Sequence, residues 1–344
     1  MLTRDQLQRA AAATGFPVDS LEKVWMLVRL LNMMTAHPFM RSRVALKGGT
    51  ALNLFVFDVP RLSVDIDVNY IGAADRATMS AERPKLDAAL QQVASRLGLT
   101  VKRAPSEHAG GKWRLSYTSA LGRPAIVEVD VNYMLRVPLW APAPRDSREF
   151  LGDRAKQIQV LDEHELAAGK LAALLARGAS RDLFDARQLL ASGAFDRAML
   201  RLAFVVYGGI NRVDWRTVRA DSVTTTAVDV KRQILPILRQ DLRPVASDIE
   251  RWTDDLIEET RSLLGAVLPL ADHELEFLER LNGQGEVEPS LLTADPDLQQ
   301  RIAANPGLRW KALNVEKHVS ASEGCPKGAR QDCEMKGRHQ ATLR

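Results

Sequence analysis

Two segments of this chain alternate polar and apolar residues strictly, and both put acids on the polar phase: Ser63-Val64-Asp65-Ile66-Asp67-Val68-Asn69-Tyr70 and Val127-Glu128-Val129-Asp130-Val131-Asn132. A period of two specifies half-buried β-strands, because successive side chains on a strand point to opposite faces. Asp65 and Asp67 therefore share a face, with carboxylates about 7 Å apart. Two like charges so placed repel, and a divalent cation between them turns the repulsion into attraction. Asp130 on a neighbouring strand is placed to supply a third oxygen ligand, and Glu128, on the same face of its own strand, competes for that part. Metal-dependent phosphoryl transfer requires this layout. Upstream lies Lys47-Gly48-Gly49-Thr50, followed by the helix-like run Ala51-Leu52-Asn53-Leu54-Phe55, so backbone N–H groups at a helix start are placed to cradle a triphosphate.

Taken together, Lys47-Gly48-Gly49-Thr50-Ala51-Leu52 and Arg61-x-Ser63-x-Asp65-Ile66-Asp67 resemble the first motif of the AbiEii/AbiGii-type nucleotidyltransferases. These are the toxin halves of bacterial abortive-infection and toxin–antitoxin pairs, with a catalytic core similar to the DNA polymerase β superfamily. The resemblance implies that Gly48, Gly49 and Thr50 hold nucleotide phosphates and that Ser63 lies next to the triphosphate. It also implies that Asp65, Asp67 and Asp130 bind the catalytic Mg²⁺ or Mn²⁺. A second block, Lys170-Leu171-Ala172-Ala173-Leu174 leading into Arg181-Asp182-Leu183-Phe184-Asp185, resembles the family's Lys-containing helix and its R-D-x-x-D helix start. By that resemblance Lys170 grips the triphosphate and Asp185 is needed for activity. Simpler readings stand beside these. Lys170 could snorkel at the surface, Ser180 is a good N-cap, Asp182 suits a first helical turn, and Arg181 could pair with Asp185 four residues on.

The resemblance further implies transfer of a nucleoside monophosphate from an NTP to an acceptor. RNA is the first choice, at the 3′ end of tRNA, and a protein hydroxyl the next. It implies a cognate antitoxin, and a cytoplasmic setting is the default for a chain with no membrane-span or secretory pattern. A small-molecule nucleotidyltransferase and a catalytically silent nucleotide- or RNA-binding module are the rival classes. The large helical half exceeds what a small acceptor needs, and a silent RNA binder has no reason to concentrate negative charge in its cleft.

With 344 residues, 46% of them hydrophobic and 26% charged, the chain can bury substantial cores and suggests two domains. Its net charge of +4 is too small to mark a nucleic-acid binder, and about +2 of it comes from residues 316–344. A polynucleotide would need a local basic patch. Candidates are Arg212, Arg216 and Arg219 around Trp215, with Lys231, Arg232, Arg239 and Arg243, although most such residues belong to solvated helix faces. No segment has the length and apolarity of a membrane span, and the first residues lack a secretory pattern.

The pattern along the chain is that of an α+β protein with a mainly α-helical second lobe, and the resemblance implies that the first part is a nucleotidyltransferase-type mixed sheet flanked by helices. Asp19-Ser20-Leu21-Glu22 reads as a capping box opening a helix from Glu22 to Met34. Further helices are expected over 51–57 and 82–97. Strands are expected over 44–46, 63–70, 99–103, 113–117 and 125–133, with Ala109-Gly110-Gly111 a loop. Pro138, Pro142 and Pro144 mark the end of the sheet region. The expected organisation is a catalytic domain over 1–150, a helical lobe over 151–319 and a disordered tail over 320–344, which has almost no aliphatic residues. Cys325 and Cys333, the only cysteines, have a spacing foreign to zinc sites.

Overall fold

The computed structural model describes residues 2–103 and 110–323. Two helices, α1 (Arg4–Thr14) and α2 (Val18–Ala36), open the chain. There follow β1 (Val44–Lys47), α3 (Gly48–Ala51), β2 (Asp65–Tyr70), α4 (Arg76–Arg96), β3 (Thr100–Arg103), β4 (Gly110–Thr118), β5 (Pro124–Asn132), β6 (Ala143–Arg145) and β7 (Ile158–Val160). The strands form one sheet in the order β3-β4-β5-β2-β1-β7-β6. The pairs β2–β5 and β1–β7 are parallel and the other neighbours antiparallel.

The apolar phase of the two alternating segments is buried. Ile66, Val68, Val127, Val129 and Val131 share a core with Leu21, Val24, Leu27, Leu30 and Leu31 of α2. Removing this much aliphatic surface from water fixes the strand register, because a slip of one residue would put the acids inside. The helices that follow are α5 (Glu163–Arg177), α6 (Ser180–Ala191), α7 (Arg197–Ile210), α8 (Ala227–Gln233), α9 (Ile249–Leu263), α10 (Asp272–Glu279), α11 (Pro296–Ala303) and α12 (Pro306–Glu323). Within this region α5 packs on α6 and α7, and α6 on α9.

Several expectations are corrected. The helix α2 begins at Val18, and the capping box does not form. The Glu22 carboxylate accepts instead from the Ala120 amide at 2.8 Å, tying α2 to the β4–β5 turn. The helix α4 starts six residues earlier than expected because Asp75 caps it, accepting from the Thr78 amide, and it runs through Pro84. Gly110 and Gly111 belong to β4. The sheet does not end at the prolines. β6 and β7 extend it to residue 160, and Pro144 is tolerated because β6 is an edge strand. At the other end α12 continues to Glu323, and the rest of the expected tail, with both cysteines, lies outside the described residues.

The candidate basic patch is largely committed to the fold. Trp215 is fully buried, its ring tilted against that of Phe204 with centroids 5.1 Å apart. Arg216 is engaged by Asp214 and Glu279, Arg232 by Asp229 and Arg239 by Asp241, while Arg243 donates to the carbonyls of Leu238 and Gly15.

Candidate active site

The pairing of β4, β5, β2 and β1 lays side chains in rows across the sheet. One row runs Lys112, Asp130, Asp67, Lys47, and the next runs Arg114, Glu128, Asp65. Asp65, Asp67 and Asp130 are half-buried, and none of their carboxylates has a hydrogen-bond or ion-pair partner among the described residues. Burial pushes Asp130 above its ordinary pKa, with the neighbouring Asp67 charge adding to it and Lys47 and Lys112 offsetting part. Burial likewise raises Asp65, against the pull of Lys112, with Glu128 and Asp67 adding repulsion. Glu128 behaves differently. Lys112 reaches it at 2.9 Å and Arg114 at 2.8 Å, and these hydrogen bonds hold it below the usual carboxylate range. Of the two contenders for third acid, Asp130 is therefore the one with no hydrogen-bond partner among the described residues.

The glycine loop sits against this face. Gly48 has φ +73°, a conformation that favours glycine, and a Cβ there would collide with the Asp67 carboxylate. A Cβ on Gly49 would lie 2.8 Å from Ser63 Oγ and 3.2 Å from the Arg61 guanidinium. Thr50 is buried and its hydroxyl donates to the Asp65 carbonyl at 2.5 Å, while Asn53 Nδ2 donates to the Gly49 carbonyl at 2.8 Å. The Thr50 hydroxyl thus fastens the loop to β2 and is not offered to a ligand. Ser63, half-buried beside Gly49, has no hydrogen-bond partner among the described residues.

The second block forms a buried ion network. Lys170 Nζ lies 2.9 Å from Asp182 Oδ1 and 2.9 Å from Asp185 Oδ2. Asp185, fully buried, also accepts from Arg61 Nε at 2.7 Å and Nη2 at 2.5 Å, and Asp182 accepts from Arg177 Nε at 2.6 Å. Burial alone would raise both aspartates. For Asp185 the Arg61 and Lys170 charges outweigh it, and for Asp182 those of Lys170 and Arg177 do, so both are held below the ordinary range.

Neither the snorkelling lysine nor the Arg181–Asp185 pair is present. Lys170 is only 9% exposed. Ser180 is not an N-cap either, since Ala179 occupies that position and Ser180 Oγ bonds Thr225 Oγ1 at 2.6 Å. The sequence reasoning missed Arg61 as a site-supporting residue, although it stood two places before Ser63. It also missed Lys112 and Arg114, which the alternation Lys112-Trp113-Arg114 beside the acid strand could have flagged.

The donor chemistry of Asp65, Asp67 and Asp130 fits a hard divalent cation: all oxygen, no competing partners, with burial and mutual repulsion raising the proton affinity of Asp65 and Asp130. The side chains are not drawn together, and no group of three or more His, Cys, Asp or Glu residues close enough to share an ion occurs among the described residues.

This architecture is similar to that of MenT4, a nucleotidyltransferase toxin from Mycobacterium tuberculosis H37Rv. The TM-score is 0.52 at 20% identity, over 93% of this chain and 99% of that one. The class is that of nucleotidyltransferases with a mixed sheet and a following set of helices. The family described as nucleotidyl transferase AbiEii toxin, type IV toxin–antitoxin system, matches residues 29–299, and the chain belongs to that family. No curated protein sequence matches the chain significantly. Among the described residues no helix is long and apolar enough to cross a membrane.

Proposed function

We propose that this nucleotidyltransferase moves a nucleoside monophosphate from an NTP to RNA, with the 3′ end of tRNA as the preferred acceptor. We further propose that it uses Mg²⁺ or Mn²⁺ held by Asp65, Asp67 and Asp130, and that a cognate antitoxin restrains it in the cytoplasm. The observation that carries this reading is the unpartnered pair Asp67 and Asp130, side by side in register and flanked by Lys47 and Lys112. A sheet face built only for stability would pair those charges, as it pairs Glu128.

When bound, a divalent cation neutralises charge on the phosphate oxygens and favours attack at the α-phosphorus. The side-chain-free Gly48 and Gly49 let the backbone approach the β- and γ-phosphates, and Ser63 offers its hydroxyl beside them. Asp130, beside Asp67 in register and without a hydrogen-bond partner, would take the proton of the acceptor hydroxyl. The acceptor oxygen bonds to the α-phosphorus, the bond to the β-phosphate oxygen breaks, and pyrophosphate leaves. RNA is favoured over a small acceptor by the extent of the helical region, residues 163–323.

The test is to incubate the protein with each α-labelled NTP, Mg²⁺ and a mixture of cellular RNA and protein. Label entering the tRNA fraction at its 3′ end is the expected result. Label in the protein fraction alone would contradict the RNA acceptor, and equal transfer in excess chelator would contradict the metal.

A further inference from the structure

Three of the cations that the sequence suggests for a polynucleotide, Arg216, Arg232 and Arg239, are paired with carboxylates. A different set keeps its charge. Where the chain leaves β5, six residues past Asp130, Arg136 is held by main-chain carbonyls: its Nε donates to Ala74 at 2.7 Å and its Nη1 to Tyr133 at 3.1 Å. Two residues on, the Pro138 carbonyl accepts at 3.3 Å from Nη1 of Arg301, in the last turn of α11. A carbonyl orients a guanidinium without cancelling its charge.

The same string continues at both ends. Arg76, two residues from Ala74, opens α4, and Arg309 lies at the start of α12, just after the short link from α11. Both are exposed, and neither has a hydrogen-bond or ion-pair partner among the described residues. Asp75, the acid beside Arg76, is turned to the Thr78 amide as the cap of α4. Burial lowers the Arg136 pKa, and repulsion from Arg76 and Arg309 adds to this against the pull of Asp75 and Tyr70. Next to Arg309 stands Trp310, 56% exposed, with Leu313, 54% exposed, one turn further along α12.

Uncompensated guanidiniums beside an exposed indole match a ribose–phosphate chain, the cations meeting phosphates and the ring meeting a base. The same cations would attract an acidic protein, but their position favours RNA. Six residues of chain span at most about 22 Å, so an RNA whose 3′ end reaches Asp130 brings its neighbouring phosphates within reach of Arg136.

We propose that Arg76, Arg136, Arg301 and Arg309 bind the ribose–phosphate backbone of the acceptor RNA behind its reacting end, and that Trp310 stacks on one of its unpaired bases. This inference rests on the RNA acceptor proposed above.

The test is fluorescence anisotropy of 5′-labelled tRNA, over a salt series, with the parent, the double variant Arg76→Ala/Arg309→Ala, Trp310→Ala and Arg96→Ala. Arg96 is exposed at the other end of α4, about 30 Å from Arg76 along the helix, so its variant removes a like charge away from the string. The double variant should bind about tenfold or more weakly, with a log–log salt slope smaller by about 2, one unit per phosphate contact. Its melting temperature should stay parental, because neither arginine has a partner to lose. Trp310→Ala should bind about tenfold more weakly at an unchanged slope, since stacking releases no counterions. Arg96→Ala should match the parent. Parental affinity and slope in the double variant overturn the proposal, as does an equal loss in Arg96→Ala. Polyglutamate that displaces tRNA as strongly as unlabelled tRNA does overturns it in favour of an acidic protein partner. A parent that binds no tRNA overturns the RNA acceptor reading itself, and the proposal with it.

Discussion

The aspartates of β2 and β5 stand half-exposed with no hydrogen-bond partner, whereas Asp182 and Asp185 of α6 are buried and each grips two cations. Folding raises Asp65 and Asp130 above the ordinary carboxylate range and holds Asp182 and Asp185 below it. One residue type thus has two opposite relations to stability. Asp65 and Asp130 are kept at a cost to the fold, which points to chemistry. The buried acids are satisfied by their neighbours and fix Arg61, whose guanidinium lies beside Gly49.

The largest effect that would break this contrast is expected at Asp185. Asp185→Ala leaves Arg61 and Lys170 buried without their shared carboxylate and should destabilise the protein by about 3–5 kcal/mol in chemical denaturation. A variant as stable as the parent would show that the network carries no structural weight.

A smaller effect, of opposite sign, is expected at Asp130. Because its folded pKa is raised, the folded protein binds its proton more tightly than the unfolded chain, and this residue's contribution to stability falls as pH rises through the folded value. Asp130→Asn should therefore raise the melting temperature by about 1–2 °C near neutral pH, after solvent screening, and the gain should vanish in acid. For Asp182 and Asp185 the sign reverses. Their contribution is present above the unfolded carboxylate pKa and is lost as pH falls through the folded values. Melting curves of the parent and Asp130→Asn across an acid-to-neutral series read this directly, and a loss of stability at neutral pH would contradict it.

The smallest effect sharpens the choice of third acid. Glu128→Gln loosens two half-exposed ion pairs and should cost about 1 kcal/mol or less, with transfer reduced less than about tenfold. If transfer vanished in Glu128→Gln and survived in Asp130→Asn, the role would pass to Glu128.

Much of the acid face was legible in the sequence because a strand's period of two is a local property. Asp65 and Asp67 could be assigned to one face of their strand, and Glu128 and Asp130 to one face of theirs, before any pairing was known. The rows that set Asp67 beside Asp130 and place Lys47 and Lys112 at their flanks depend on which strands meet, a long-range choice that no local pattern records. β6 and β7, of three residues each, are too short to show a period, and the prolines around β6 read as a stop although an edge strand accepts them. The chemistry of Lys170 was hidden for a similar reason. An ammonium on an amphipathic helix looks the same in sequence whether it snorkels or is buried, and only the approach of Arg61 and α6 decides. Glu22 likewise reads as a capping residue until β4 and β5 bring the Ala120 amide to it.

The central claim is that the unpartnered sheet acids perform the transfer while contributing nothing favourable to the fold. It is tested most directly by measuring single-turnover NTP transfer and melting temperature on the same preparation of Asp67→Asn. The account predicts a rate lower by roughly 10³ with a melting temperature equal to or above the parent's. A variant that transferred nucleotide at the parental rate, or that lost activity only in step with its folded fraction, would contradict it.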